Sequence, residues 1–179
     1  FMPAANLAAN HIKFPAVYTE SGEGRYRVDR LVGQGGFGTV YAGVQLAVGL
    51  PIAIKILRID EALPAAKRGE MLSRFVEEAR ILSRLRHDCV VRTLDQGIMQ
   101  DPAGGPTPYL VMEWGGEETL RDLLQSVRGQ PLTLGLAWPL FHGMVAGLAH
   151  AHALGIAHRD LKPSNVMLTR ASDGRVTPR

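Results

Sequence analysis

The sequence predicts an α+β fold in two lobes, and three observations carry that expectation. Arg25–Val32 alternates polar and apolar residues with the period of two of a half-exposed strand, and in Pro51–Leu57 the residues Ile52, Ile54 and Ile56 share one face. The segment between them, Thr39 to Leu50, carries two early valines, Tyr41, Gly43 and Gly49 but no helical apolar stripe, so it reads as a strand and a turn. After Gly115-Gly116 the character changes from strands to helices.

Taken in order, residues 1–24 form a mixed leader ending in the loop signal Ser21-Gly22-Glu23-Gly24. Strands are expected over Arg25–Val32, Thr39–Val44 and Pro51–Leu57, with a glycine-rich turn from Gly33 to Gly38 between the first two. Met71, Phe75, Ala79, Leu82 and Leu85 follow the three-and-four spacing of one amphipathic helix. Two further strands are expected at Val90–Met99 and Tyr109–Trp114, around a turn at Asp101–Pro108. That makes five antiparallel strands and one major helix over residues 25–114, followed by an incomplete helical lobe over 115–179. In the second part a short helix fits Thr119–Val127, and a longer one ends near Leu154 with Gly155 as its cap; Pro139 and Gly143 weaken it.

Composition narrows the functional classes. The 179 residues are 46% hydrophobic and 21% charged, with net charge +3 from 20 basic and 17 acidic residues. Like charges form no run, which argues against a nucleic-acid or anionic-membrane partner. The single cysteine, Cys89, excludes a disulfide within the chain and reads as a small buried residue in a reducing compartment, so a cytoplasmic location is expected. Gly129 to His158 contains no Asp, Glu, Lys or Arg, but its prolines, glycines and histidines fit a buried helix of a soluble domain better than a membrane span. The start, Phe1 to Asn10, has no secretory pattern.

Gly33-Gln34-Gly35-Gly36-Phe37-Gly38 matches G-x-G-x-x-G, with Val40 extending it. The same pattern occurs in dinucleotide-binding folds, where Asp60 would be the ribose-binding acid, but those need a helix after the glycines. Glycines between two antiparallel strands make instead a flap whose amides can approach phosphates. Lys55 stands inside an apolar strand, on the face of Ala53 and Leu57, where a lone cation is costly unless paired. Glu78 lies three after Phe75 and four before Leu82, on the helix stripe, and is the expected partner; Glu77 is turned away. His150 and His152 are spaced as a metal pair would be, yet without a third ligand they read as a helix face.

The segment His158-Arg159-Asp160-Leu161-Lys162-Pro163-Ser164-Asn165 matches H-R-D-x-x-x-x-N. With Gly33-x-Gly35-x-x-Gly38-x-Val40, Ala53-Ile-Lys55, Glu78 and Leu85-Arg-His87, the chain resembles the eukaryotic-like Ser/Thr protein kinase domain of bacterial type, over about residues 25–170. The resemblance implies ATP and Mg²⁺ as cofactors and a protein Ser/Thr hydroxyl as acceptor. It implies that Asp160 orients the attacking hydroxyl, that Lys162 offsets phosphate charge, that Asn165 ligates the metal, and that Lys55 and Glu78 form the phosphate-positioning pair. His158 would anchor the loop. Val111-Met112-Glu113-Trp114 resembles the hinge, with Met112 as gatekeeper, and adenine would lie below Val32, Val40 and Ala53, bonding to hinge backbone.

The resemblance stops at Arg179. The family's Asp-Phe-Gly, activation loop and Ala-Pro-Glu do not follow Arg175-Val-Thr-Pro-Arg179, Asp173-Gly174 turns a hairpin, and Pro178 stands where a strand residue is expected. With Asn165 as its one metal ligand, this chain by itself is expected to be inactive, and Leu140, Met144 and Leu148 are expected to lack a covering layer. The alternatives are a pseudokinase-like module that binds nucleotide or protein without catalysis, and a small-molecule kinase of related fold.

Overall fold

The computed structural model describes residues 25–179 apart from 36–37, 58, 60–61 and 102–104. The expected leader, Gly36 and Phe37 of the glycine loop, and Asp60 lie outside the described residues. Five strands, β1 (Tyr26–Gly35), β2 (Gly38–Gln45), β3 (Leu50–Ile56), β4 (Thr93–Asp101) and β5 (Gly105–Glu113), form one antiparallel sheet in the order β1-β2-β3-β5-β4. Helix α1 (Ala65–Leu82) lies between β3 and β4 in sequence. The second part holds β6 (Glu118–Thr119), α2 (Leu120–Ser126), α3 (Leu134–Ala153), β7 (Met167–Arg170) and β8 (Val176–Pro178), with the three strands paired β6-β7-β8. A strand, not a helix, follows the glycine turn, which decides against the dinucleotide-binding alternative.

The alternation in β3 builds the first core. Ile52, Ile54 and Ile56 are buried with Tyr26, Tyr41, Tyr109 and Val111, while Ala53 and Lys55 are half-buried on the other face. The sheet coils enough for its two edge strands to meet: the Tyr26 hydroxyl donates to Asp95 Oδ2 at 2.6 Å, and Arg25 pairs with the same oxygen at 2.8 Å. Burial and the Asp95 carboxylate push the Tyr26 phenol far above its ordinary range.

The second core is Leu123, Leu140, Val166, Leu168 and Val176, with Met144 packed against it. Here the expected uncovered patch is corrected. Leu140 is only 2% exposed, because β7 and β8 cover that face; the large apolar residues of α3 left exposed are Leu134, Trp138, Phe141 and Val145. Helix α3 also runs unbroken through Pro139 and Gly143. Gly143 is explained by packing: a Cβ there would meet the Pro178 ring at 2.7 Å and Cys89 Sγ at 3.1 Å. The helix ends at Leu154 and Gly155 with amides bonded back to Ala151 and His152, as expected. Pro178 does stand in a strand, and its missing N–H is tolerated because β8 is a sheet edge. Asp173 accepts the Arg175 amide at 3.0 Å in the β7–β8 hairpin, as the sequence expected.

Element bounds shift elsewhere. Helix α1 starts at Ala65 and stops at Leu82, so Leu85 is buried in the turn beyond it. The β4–β5 ladder continues to Asp101 and Gly105, within the stretch expected to be a turn, and residues 102–104 lie outside the described residues. The two-residue β6 has no sequence signal; it runs into α2, which is capped reciprocally by Thr119 and Asp122. Among the described residues no helix is long and apolar enough to cross a membrane.

Leu140→Ala should lower unfolding stability by about 2–4 kcal/mol, because it empties the centre of the second core. Urea unfolding followed by circular dichroism checks this; a midpoint unchanged from the parent chain would contradict the burial of Leu140.

Candidate active site

The first wall of the site is one face of the five-stranded sheet. Register pairs Val40 with Gly33 and Lys55, Lys55 with Leu110, and Ala53 with Met112, so Val40, Ala53, Lys55 and Met112 share that face. Val32 falls at a bulge between Leu31 and Gly33 and is 44% exposed. Gln34 and Gly35 pair with Thr39 and Gly38 at the tip of the hairpin. Gly38 has φ +135°, a backbone region that side chains rarely adopt, and a Cβ there would collide with the Ile56 carbonyl. The glycine thus lets the loop fold over β3.

The second wall is the turn after α3. Arg159 has φ 60° and precedes Asp160, whose amide donates to the His158 carbonyl at 2.8 Å. Lys162 Nζ lies 2.8 Å from Asp160 Oδ2, and Asn165 Nδ2 donates to Asp160 O at 2.8 Å and to Oδ2 at 3.0 Å. These bonds to Lys162 and Asn165 hold the Asp160 carboxyl below its ordinary range, so it is ionised at neutral pH. The turn Pro163–Asn165 is a 3₁₀ helix that sets this geometry. With Nδ2 committed to Asp160, Asn165 Oδ1 is left as a hard oxygen.

Between the walls lies a cavity of about 430 Å³ lined by Lys55, Met112, His158 and Asn165 together with apolar residues of α3 and β5. Lys55 and Asn165 therefore face one space, although 110 residues separate them. The expected Lys55–Glu78 pair is corrected: Glu78 is exposed, and among the described residues no ion pair joins it to Lys55. The reason is helical phase. The most buried position of α1 is Ala79, and Glu78 sits ~100° around the helix from it. His150 stacks against His87, with ring centroids 5.4 Å apart, and His152 is exposed; no group that could hold a metal is found among the described residues. Cys89 is a free, half-buried thiol raised by burial.

The hinge carries contacts that local sequence reasoning missed. Arg30 of β1 donates to both oxygens of Glu117, at 2.7 and 2.8 Å, and its guanidinium lies 5.5 Å from the Trp114 ring. Glu113 accepts from Arg179 at 2.8 Å and from the Arg92 amide at 3.1 Å. Partners 87 and 66 residues apart leave no periodic signal in the chain.

The sequence profile described as "Protein kinase domain" matches residues 26–177. The chain is 42% identical over 152 residues to "Serine/threonine-protein kinase pkn2" of Myxococcus xanthus, covering 85% of this chain and 17% of that protein. It is 34% identical over 154 residues to "Serine/threonine-protein kinase PknA" of Mycobacterium tuberculosis, covering 86% of this chain and 34% of that one. To "Serine/threonine-protein kinase PknB" of the same species it is 33% identical over 152 residues, or 85% and 23%. The chain thus spans no more than about a third of the length of these relatives.

The titration of Asp160 tests the second wall. A carboxylate with a depressed folded pKa contributes stability above its unfolded pKa and loses it as pH falls through the folded value. A carbon-13 NMR titration should place the Asp160 midpoint below that of an ordinary aspartate, and Lys162→Met should move it up. An unshifted midpoint in the parent chain would contradict the Lys162 and Asn165 contacts.

Proposed function

Because the match over residues 26–177 shows that the chain belongs to the protein kinase family, we propose that it serves ATP-dependent phosphorylation of Ser and Thr hydroxyls on proteins. The observation that carries this reading is the cluster of Asp160, Lys162 and Asn165, bonded at 2.8–3.0 Å, whose Asn165 lines the same cavity as Lys55. Phosphoryl transfer needs positioning and charge compensation more than covalent help. The ionised Asp160 orients the acceptor hydroxyl and accepts its proton. Lys162 and Lys55 offset charge on the phosphates. Val32, Val40 and Ala53 roof the adenine, and the backbone at Met112, Glu113 and Trp114 bonds its edge. The glycine-loop amides of Gly33, Gln34, Gly35 and Gly38 cover the phosphates.

Of the residues in this reading, Lys55, Met112 and Asn165 line the cavity and support a nucleotide there. For Mg²⁺ they supply the Asn165 amide oxygen, a hard ligand of the right type but a single one. When bound, Mg²⁺ would neutralise charge on the phosphates.

In a protein that contains this chain with its complete kinase domain, Asp160→Asn should abolish transfer to a basic test protein with ATP and Mg²⁺. Lys55→Met should cut the rate severely without unfolding. Turnover retained by Asp160→Asn would sink the role of Asp160. Assays with aminoglycoside, choline and protein acceptors side by side separate protein phosphorylation from small-molecule phosphorylation.

A second reading, a non-catalytic nucleotide-binding module, is favoured by one observation: Glu78 is turned away from Lys55, which leaves the lysine without the carboxylate that would hold it in place. For the 179-residue polypeptide alone, calorimetry should give weak ATP binding with little dependence on Mg²⁺, and no transfer above background. Transfer by this polypeptide at the rate of the longer protein would overturn that expectation.

A further inference from the structure

Beyond the nucleotide cleft, a second cavity of about 310 Å³ is lined by Arg86, His87, Asp88, Arg92, Glu113 and Arg179. Glu113 alternates with the gatekeeper Met112 along β5, so its carboxylate lies on the other side of the strand from the cleft face. Three segments distant in sequence converge here: the stretch from Arg86 to Arg92 between α1 and β4, the end of β5 at Glu113, and Arg179 just after β8.

The charges do not balance. Glu113 is engaged by Arg179 Nη1 at 2.8 Å and by the Arg92 amide at 3.1 Å. Asp88 is then the one remaining side-chain carboxylate in the lining, against the guanidiniums of Arg86 and Arg92. Among the described residues, neither of these guanidiniums makes an ion pair. Arg179 Nε is buried and has no acceptor. A buried donor left unpaired costs about 1–3 kcal/mol, so an acceptor from outside the chain is called for at that position. The two unpaired guanidinium forks of Arg86 and Arg92, with the buried Arg179 Nε as a further donor, suit an anion with three acceptor oxygens better than a planar carboxylate, which can occupy one fork.

We propose that this cavity binds a phosphate monoester or inorganic phosphate dianion, held by Arg86, Arg92 and Arg179, at a site distinct from the nucleotide position near Lys55 but adjoining the cleft through Arg179, which lines both cavities. The cavity has room for more than a bare phosphate, which suits a phosphorylated Ser or Thr side chain as the larger form of the same ligand.

Isothermal titration calorimetry of the 179-residue chain, in phosphate-free buffer at low salt, tests this with three probes: inorganic phosphate, O-phosphothreonine and threonine. Saturable binding of phosphate or phosphothreonine, but not threonine, is expected. Tighter phosphothreonine binding points to a protein-borne ligand, and equal binding to free phosphate. Arg86→Ala with Arg92→Ala should weaken the binding at least about tenfold. Both positions are exposed, so the fold should survive, as circular dichroism checks. The Arg86→Lys/Arg92→Lys variant, which keeps charge but loses the forks, should fall in between. Saturating ADP should leave the isotherm unchanged. Absence of saturable binding, an isotherm unaffected by the double alanine variant, or competition by ADP would each overturn the proposal.

Discussion

The period-two alternation of β3 is the constraint on which the rest depends. Three isoleucines pack into the core of the first lobe, and burying each contributes on the order of 1.5–3 kcal/mol. That burial fixes the strand's phase, because a slip of one residue would exchange its faces. Ala53 and Lys55 are thereby committed to the opposite face, where register aligns them with Val40, Leu110 and Met112. The lysine in the cleft is held there by the isoleucines behind it. Its face is thus set by the strand, so it lines the cavity even though Glu78 does not pair with it.

The two lobes meet through close backbone approach as well as ion pairs. Gly143 and Gly147 let α3 approach the Cys89 segment and Pro178 at distances that any larger side chain would obstruct. Thr169 Oγ1 donates to the Gly115 carbonyl at 3.1 Å, so β7 is bonded to the hinge itself. Arg30–Glu117 and Arg179–Glu113 then bracket the hinge. The first pair is largely exposed, with side chains 49% and 75% accessible, and contributes at most about 1 kcal/mol; the second is more enclosed, at 31% and 20%. The hinge is therefore held mainly by packing and backbone hydrogen bonds, with the Glu113 pair as the stronger electrostatic contact.

Much of this was legible in the sequence because it is local. Alternation disclosed β1 and β3, the glycine spacing disclosed the β1–β2 turn, and the Asp160–Asn165 spacing disclosed a cluster that closes within a single loop. What failed was the inference of one long-range contact from two local patterns. The spacing of Glu78 from Phe75 and Leu82 predicts a place on the apolar stripe, but burial in α1 centres on Ala79, and a shift of one position carries a side chain a quarter-turn and more away. The apolar patch was misplaced for a related reason. Leu140 and Met144 are as hydrophobic as Trp138 and Phe141, and only the hairpin of β7 and β8, far along the chain, decides which of these faces is covered. The ion pairs at the hinge join residues from different elements and leave no trace in any window of sequence.

The position of Trp114 beside Arg30 has an optical consequence. The chain contains two tryptophans, and they occupy contrasting surroundings: Trp114 lies at the hinge under a guanidinium, and Trp138 stands 60% exposed on α3. Indole emission responds to nearby charge and to water, so the native fluorescence is the sum of a hinge component and a solvent component. Replacing Trp138 with phenylalanine isolates the first. The remaining emission becomes a built-in gauge of whatever disturbs the contact between β1 and the hinge, readable without attaching any label to the protein.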